Sequence, residues 1–165
     1  MRVISYIILG IIILIFLTPI NNFNTGKDII DYPLHAFYHA NTSHLIANSI
    51  SLFSLSFIEE IIGWKQFLLA MVFLWIFSSI ILYIIHLILP SRKVYTIGFS
   101  GVIFGLMVIY YSLLNQSPGI TLVGLVISIL PQLAIKGISF EGHLSGIIAG
   151  ILYILLFPVP KGKMK

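Results

Sequence analysis

The chain has 165 residues, 59% of them hydrophobic and a further 13 of them glycine, with only nine basic and five acidic residues between them. An ordinary soluble domain carries about 25% charged residues, and a chain this short has too little interior to hide so much apolar side chain. Composition thus excludes a water-facing globule and makes lipid the solvent, at about 20 apolar residues per crossing.

The net charge of +4 is scattered along the chain. Three basic residues gather at Lys161, Lys163 and Lys165, a tail suited to an anionic membrane surface and not to nucleic acid. With no cysteine there is no disulfide framework, no thiolate nucleophile and no cysteine-ligated metal site.

Uncharged stretches between the charges predict six helices. The first runs from about 3 to 20 and stops in Asn21-Asn22-Phe23-Asn24. It resembles a signal peptide, but no small-residue cleavage site follows, so it reads as a retained anchor. A loop over roughly 21–42 leads to a second helix near 43–62, and a third near 66–89 stops at Pro90. The block from 94 to 135 is too long for one crossing. Asn115-Gln116-Ser117-Pro118-Gly119 is a turn signal within it, giving helices near 99–114 and 120–135, with Pro131 set to kink or end the fifth. A sixth, near 143–157, ends before Pro158 and Pro160. The expected architecture is an all-α membrane protein, one six-helix bundle spanning 1–165. Both termini then share a side. Five Lys and Arg lie there against four opposite, and the basic tail favours a cytoplasmic location for that side.

Polar residues kept within apolar helices locate the chemistry. His44 and Asn48 are one turn apart at the start of the second helix and share a face. Ser100 opens the fourth helix and His143 the sixth. Helices two, four and six all begin on the side opposite the termini, so topology gathers these four residues in one layer of one leaflet. A serine hydroxyl is a poor nucleophile until a base removes its proton, and histidine does so near neutral pH. Ser100 and His143 are therefore the expected catalytic pair. His44, Asn48 and the Ser100 backbone N–H are the expected donors to the oxyanion. No carboxylate is placed to complete a triad: all five acids flank helices, so packing must hold the imidazole, and Phe104, one turn below Ser100, is the ring expected against it. The fourth helix, at about 16 residues and roughly 24 Å, is shorter than a hydrocarbon core of about 30 Å. Its serine end should be sunk below the surface, with residues 90–98 entering as a loop around a wet cavity. Gly98, Gly101 and Gly105 on the fourth helix, with Gly146 and Gly150 on the sixth, would allow close backbone approach.

The segments His35-Ala-Phe-Tyr-His39-Ala-Asn-Thr-Ser-His44-Leu-Ile-Ala-Asn48, Gly98-Phe-Ser100-Gly101-Val-Ile-Phe104-Gly105 and His143-Leu-Ser-Gly146-Ile-Ile-Ala-Gly150 resemble the rhomboid family of intramembrane serine proteases. The resemblance covers nearly the whole chain, in order. It implies Ser100 as nucleophile, His143 as general base, and His44 with Asn48 as oxyanion partners, with Gly98, Gly101, Phe104 and His39 supporting them. It also implies transmembrane protein substrates within the lipid bilayer, a fifth helix concerned with substrate entry, and no cofactor. Two departures stand out. Phe104 occupies a position where family members often have tyrosine, and the first loop lacks the Trp-Arg pair common in bacterial relatives. The chain otherwise resembles the minimal form, without an added cytosolic domain or seventh helix.

Blander readings exist for each residue. A serine in an apolar helix commonly bonds the carbonyl one turn earlier, and Ser49, Ser51, Ser54, Ser56, Ser78 and Ser79 are read so. His86 is read as packing or interface, His35 and His39 equally as loop-structuring, and the aromatics, including Trp64, as interface anchors. A proton-coupled transporter or aspartyl protease would need mid-span carboxylates, and a zinc protease HExxH; neither is present, and no metal site is expected. A haem or metal protein built on His35, His39 and His44 leaves Gly98-Phe99-Ser100-Gly101 unexplained. The nearest alternative is an inactive rhomboid-like protein that binds transmembrane clients. The sequence leaves the oligomeric state open.

Overall fold

The computed structural model describes residues 2–18, 29–89, 96–134 and 138–160. Expectations for residues 19–28, 90–95, 135–137 and 161–165, including the end of the predicted fifth helix and the basic tail, lie outside the described residues. Among those described there is no strand. The described residues form eight α-helices in succession: α1 (Val3–Leu17), α2 (Asp31–Leu34), α3 (Thr42–Leu55), α4 (Phe57–Ile62), α5 (Trp64–Ile88), α6 (Ser100–Leu113), α7 (Pro118–Ile129) and α8 (Phe140–Leu156). Short 3₁₀ turns at His35–Phe37 and Leu130–Ala134 extend α2 and α7.

Four boundaries differ from expectation, each for a local reason. The first loop contains α2 and a 3₁₀ turn, because it docks on α5 instead of running free. There the Trp75 indole N–H donates to the Pro33 carbonyl at 2.6 Å, and the Tyr32 hydroxyl pairs with His86 Nδ1 at 3.1 Å. The second predicted helix is divided at Ser56, whose hydroxyl donates to the Phe53 carbonyl at 2.6 Å and receives Arg2 Nη1 at 3.2 Å. The fifth starts earlier, at Pro118, where Ser117 caps it by accepting from Ile120 N–H. The sixth also starts earlier, at Phe140, because Ser139 supplies the cap and accepts from Gly142 N–H at 3.0 Å. His143 therefore sits within the first turn of α8 and does not open it. Pro131 behaves as predicted: the α-helix gives way to a 3₁₀ turn there, since proline has no N–H and clashes with the carbonyl four residues back.

The acids do more than flank helices. Glu59 and Glu60 lie in α4 and Glu141 in the first turn of α8. The buried Glu59 carboxyl accepts from Ile4 N–H (2.9 Å), Ser5 N–H (2.9 Å) and the Ser5 hydroxyl (2.8 Å). It thereby satisfies orphan donors at the start of α1, which has no cap of its own. Arg2 and Glu60 close the same junction at 3.1 Å.

The core centres on α6, which packs against α3, α5, α7 and most extensively α8. Val102, Ile103, Leu106, Ile109 and Leu113 of α6 meet Phe67, Met71 and Leu74 of α5 in one buried cluster. Small residues set the α6–α8 spacing. A Cβ on Gly146 would overlap the Gly101 carbonyl, and one on Gly105 would lie 3.0 Å from the Gly146 carbonyl oxygen. Backbone thus meets backbone, as at close helix crossings in membranes. The aromatics divide by position: Trp64 is exposed as expected, whereas Phe67, Phe99 and Tyr153 are core residues. Outward faces stay apolar, with Ile50, Ile84, Ile120 and Leu155 exposed. By length and composition, Thr42–Ile62 and Trp64–Ile88 suffice to cross a membrane.

Candidate active site

Ser100 is the first residue of α6, so its N–H is among those with no intrahelical acceptor. The turn that delivers it passes through Gly98 at φ +111°, a left-handed conformation that favours glycine. A side chain there would also strike His44, since a Cβ would come within 2.5 Å of its Cε1. Gly98 N–H donates to the His35 carbonyl at 3.0 Å, which ties this turn to the first loop.

His143 reaches across from α8, and its Nε2 lies 2.8 Å from Ser100 Oγ. Phe104 lies against the imidazole as expected, with ring centroids 4.4 Å apart and planes at 30°. Packing is not the whole of the support, however. Gln132, in the 3₁₀ turn after Pro131, places Oε1 2.6 Å from His143 Nδ1.

His44 and Asn48 share one face of α3, as their spacing predicts. Asn41 caps that helix, accepting from His44 N–H at 2.8 Å. Ala40 N–H approaches His44 Nδ1 at 3.5 Å, leaving Nε2 over Gly98 as the ring's donor position. Asn48 Nδ2 donates to the His44 carbonyl at 3.0 Å and also faces the position a Cβ of Gly98 would take, at 3.6 Å. His39 packs edge-on to His44 with ring centroids 5.1 Å apart. His35 Nδ1 pairs with the Tyr32 carbonyl. Burial brings both His35 and His39 down to about 4, with the His44 ring adding to the effect on His39, so both are neutral at physiological pH.

His44, Asn48, Gly98, Ser100, Phe104 and His143 line one cavity of about 540 Å³. The four residues expected in one layer do meet. His86 lies apart, buried against Tyr32, in keeping with the packing role. Among the described residues no three His, Asp or Glu side chains are grouped to hold a metal ion.

Three contributors were missed from sequence. Thr96 and Ser139 share a hydroxyl–hydroxyl hydrogen bond of 2.8 Å, joining the segment before α6 to the segment before α8. Their residue types carry no signal. Gln132 did carry one. Thr121, Leu125 and Ile129 form the buried stripe of α7, and Gln132 falls three residues further, where a 3₁₀ turn places i and i+3 on the same side.

The fold and this site define a helical bundle with apolar outer faces and a half-buried serine–histidine pair facing a cavity. A family model described as the Rhomboid domain matches residues 27–159. A protein of Acanthamoeba polyphaga mimivirus, named for the rhomboids, is 51% identical over 164 residues, covering 99% of this chain and 96% of its own length. Rhomboid-like protein 14, mitochondrial, of Arabidopsis thaliana is 31% identical over 149 residues, covering 79% of this chain and 44% of its own. An uncharacterized protein of Mycobacterium tuberculosis is 31% identical over 140 residues, 77% of this chain and 58% of its own. The chain belongs to the rhomboid family, whose members are embedded in membranes.

Proposed function

We propose that this protein is an intramembrane serine endopeptidase that cuts peptide bonds in or near transmembrane segments of other membrane proteins. The observation that carries the reading is the 2.8 Å contact between His143 Nε2 and Ser100 Oγ, a nucleophile and base within hydrogen-bond reach. In this reading six crossings are made by α1, by α3 with α4, by α5, by α6, by α7 with its 3₁₀ turn, and by α8. The termini face the cytoplasm and the cavity opens toward the opposite leaflet. At 14 residues α6 is only about 21 Å long, which supports a sunken serine.

Ser100 Oγ attacks the scissile carbonyl while its proton passes to His143 Nε2. Negative charge collects on the former carbonyl oxygen, where Ser100 N–H, His44 Nε2 and the Asn48 amide are the available donors. Collapse of the tetrahedral intermediate breaks the C–N bond, and His143 returns the proton to the leaving amine. Water from the cavity, deprotonated by the same imidazole, then hydrolyses the acyl-serine and regenerates Ser100. The groups that bind, polarise and move protons are all this chain's own.

The test is cleavage of a single-span substrate in membranes by wild type, Ser100→Ala and His143→Ala. Both variants should lose cleavage, and fluorophosphonate labelling should vanish in Ser100→Ala. Unchanged cleavage in either variant would sink the pair.

A further inference from the structure

The geometry points to Gln132 as a positioning residue that fixes the tautomer of His143, a reading that rests on the proposed protease mechanism. An imidazole can accept the serine proton at Nε2 only if its hydrogen resides on Nδ1. A carbonyl oxygen 2.6 Å from Nδ1 has no hydrogen to offer and can only accept one. Gln132 Oε1 therefore selects the Nδ1–H form and leaves the Nε2 lone pair aimed at Ser100 Oγ, 2.8 Å away. The opposite amide orientation would present an NH₂ donor to Nδ1, move the hydrogen to Nε2 and leave the serine without a base. This is the wrong-tautomer failure known when a triad aspartate is replaced by its amide.

The residue type suits its surroundings. A carboxylate here would bring a net charge into a half-buried site. An amide gives the same acceptor geometry without charge, and its dipole favours the imidazolium formed during attack. Three groups now restrain the ring in different directions: Phe104 against its face, Ser100 at Nε2 and Gln132 at Nδ1. The titratable groups around it are His44 from α3 and Glu141 on its own helix, while α7 with its 3₁₀ turn brings none and α6 only tyrosines at its far end.

The experiment pairs enzymology with imidazole ¹⁵N and proton NMR of the full-length protein in detergent micelles, His143 being assigned by its loss in His143→Ala. Wild type should show His143 as the Nδ1–H tautomer, with a hydrogen-bonded Nδ1 proton that disappears in Gln132→Leu. That variant should lose roughly 10- to 100-fold in kcat, the scale known for the hydrogen-bond partners that orient metal-ligating histidines, with KM within twofold. Gln132→Glu has the same length and accepts the same hydrogen. It should keep most of the activity while its negative charge raises the imidazole pKa. Because the base must be unprotonated to act, the acid limb of kcat/KM should move to higher pH by about one unit. An Nε2–H tautomer in wild type would overturn the assignment, as would Gln132→Leu with unchanged kcat, pH profile and imidazole spectrum. The spectrum also separates the two readings: if wild type cuts nothing and takes no fluorophosphonate, the protease proposal fails, yet the tautomer still decides what Gln132 does.

Discussion

Two pairs of elements hold the same imidazole in different ways. At the α6–α8 contact, the Gly101 carbonyl occupies the space beside Gly146 that a side chain would need, so two backbones define the distance between serine and histidine. At the α7–α8 contact the link to the ring is one side-chain hydrogen bond, accepted by Gln132 Oε1, and the outer face of α7 exposes Ile120, Val123 and Ile127. Backbone apposition leaves no adjustable torsion, whereas a glutamine has several. The dimension that must not vary is set by the first device, and the hydrogen's location by the second.

The comparison is sharpest when the same substitution is made on both sides. Gly146→Ala should have the largest effect: its methyl would collide with Gly101, α6 and α8 would part, and misplacement of about 1 Å costs about 100-fold or more. Loss of detectable cleavage together with a lower thermal midpoint is expected. Retention of a tenth of the wild-type rate would break the claim that backbone contact sets the site. Next comes His44→Ala, held by a side chain alone, which should cost about 100- to 1000-fold in kcat as one oxyanion donor is lost, with the thermal midpoint little changed. A smaller effect concerns the first loop. His35 is buried neutral with its pKa lowered to about 4 against an ordinary value near 6.5. A lowered histidine favours the folded state most above pH 6.5, and that advantage drains away as pH falls from about 6.5 to 4. The thermal midpoint should fall across that window, and less so in a His35→Gln variant. Smallest is Gly124→Ala on α7, where nothing lies within 4 Å of the added methyl. Activity should stay within twofold and stability rise by at most about 1 kcal/mol. A large loss there would mean that α7 is as tightly specified as α8.

Sequence made the helices and the four-residue layer legible because both follow from periodicity and from the rarity of polar groups in apolar segments. Ser100, His143, His44 and Asn48 are conspicuous for that reason, whereas Gly98, expected on the fourth helix against the sixth, instead forms the left-handed turn before α6 and lies against His44. The rest depended on tertiary contacts that spacing does not encode. Ser139 extends α8 by three residues with an ordinary serine cap. Trp75 looks like any interfacial tryptophan until Pro33 meets it. Gln132 follows a proline, and that proline generates the turn carrying it toward the imidazole.

The Glu59 cap has a consequence for how the molecule is made. The opening amides of α1 have no acceptor in their own helix, and theirs comes from a residue more than fifty positions later. During synthesis α1 is made before α4, yet its start is completed only once α4 exists. The start of α1 is thus fastened by a helix made after it, and the order of fastening departs from the order of synthesis.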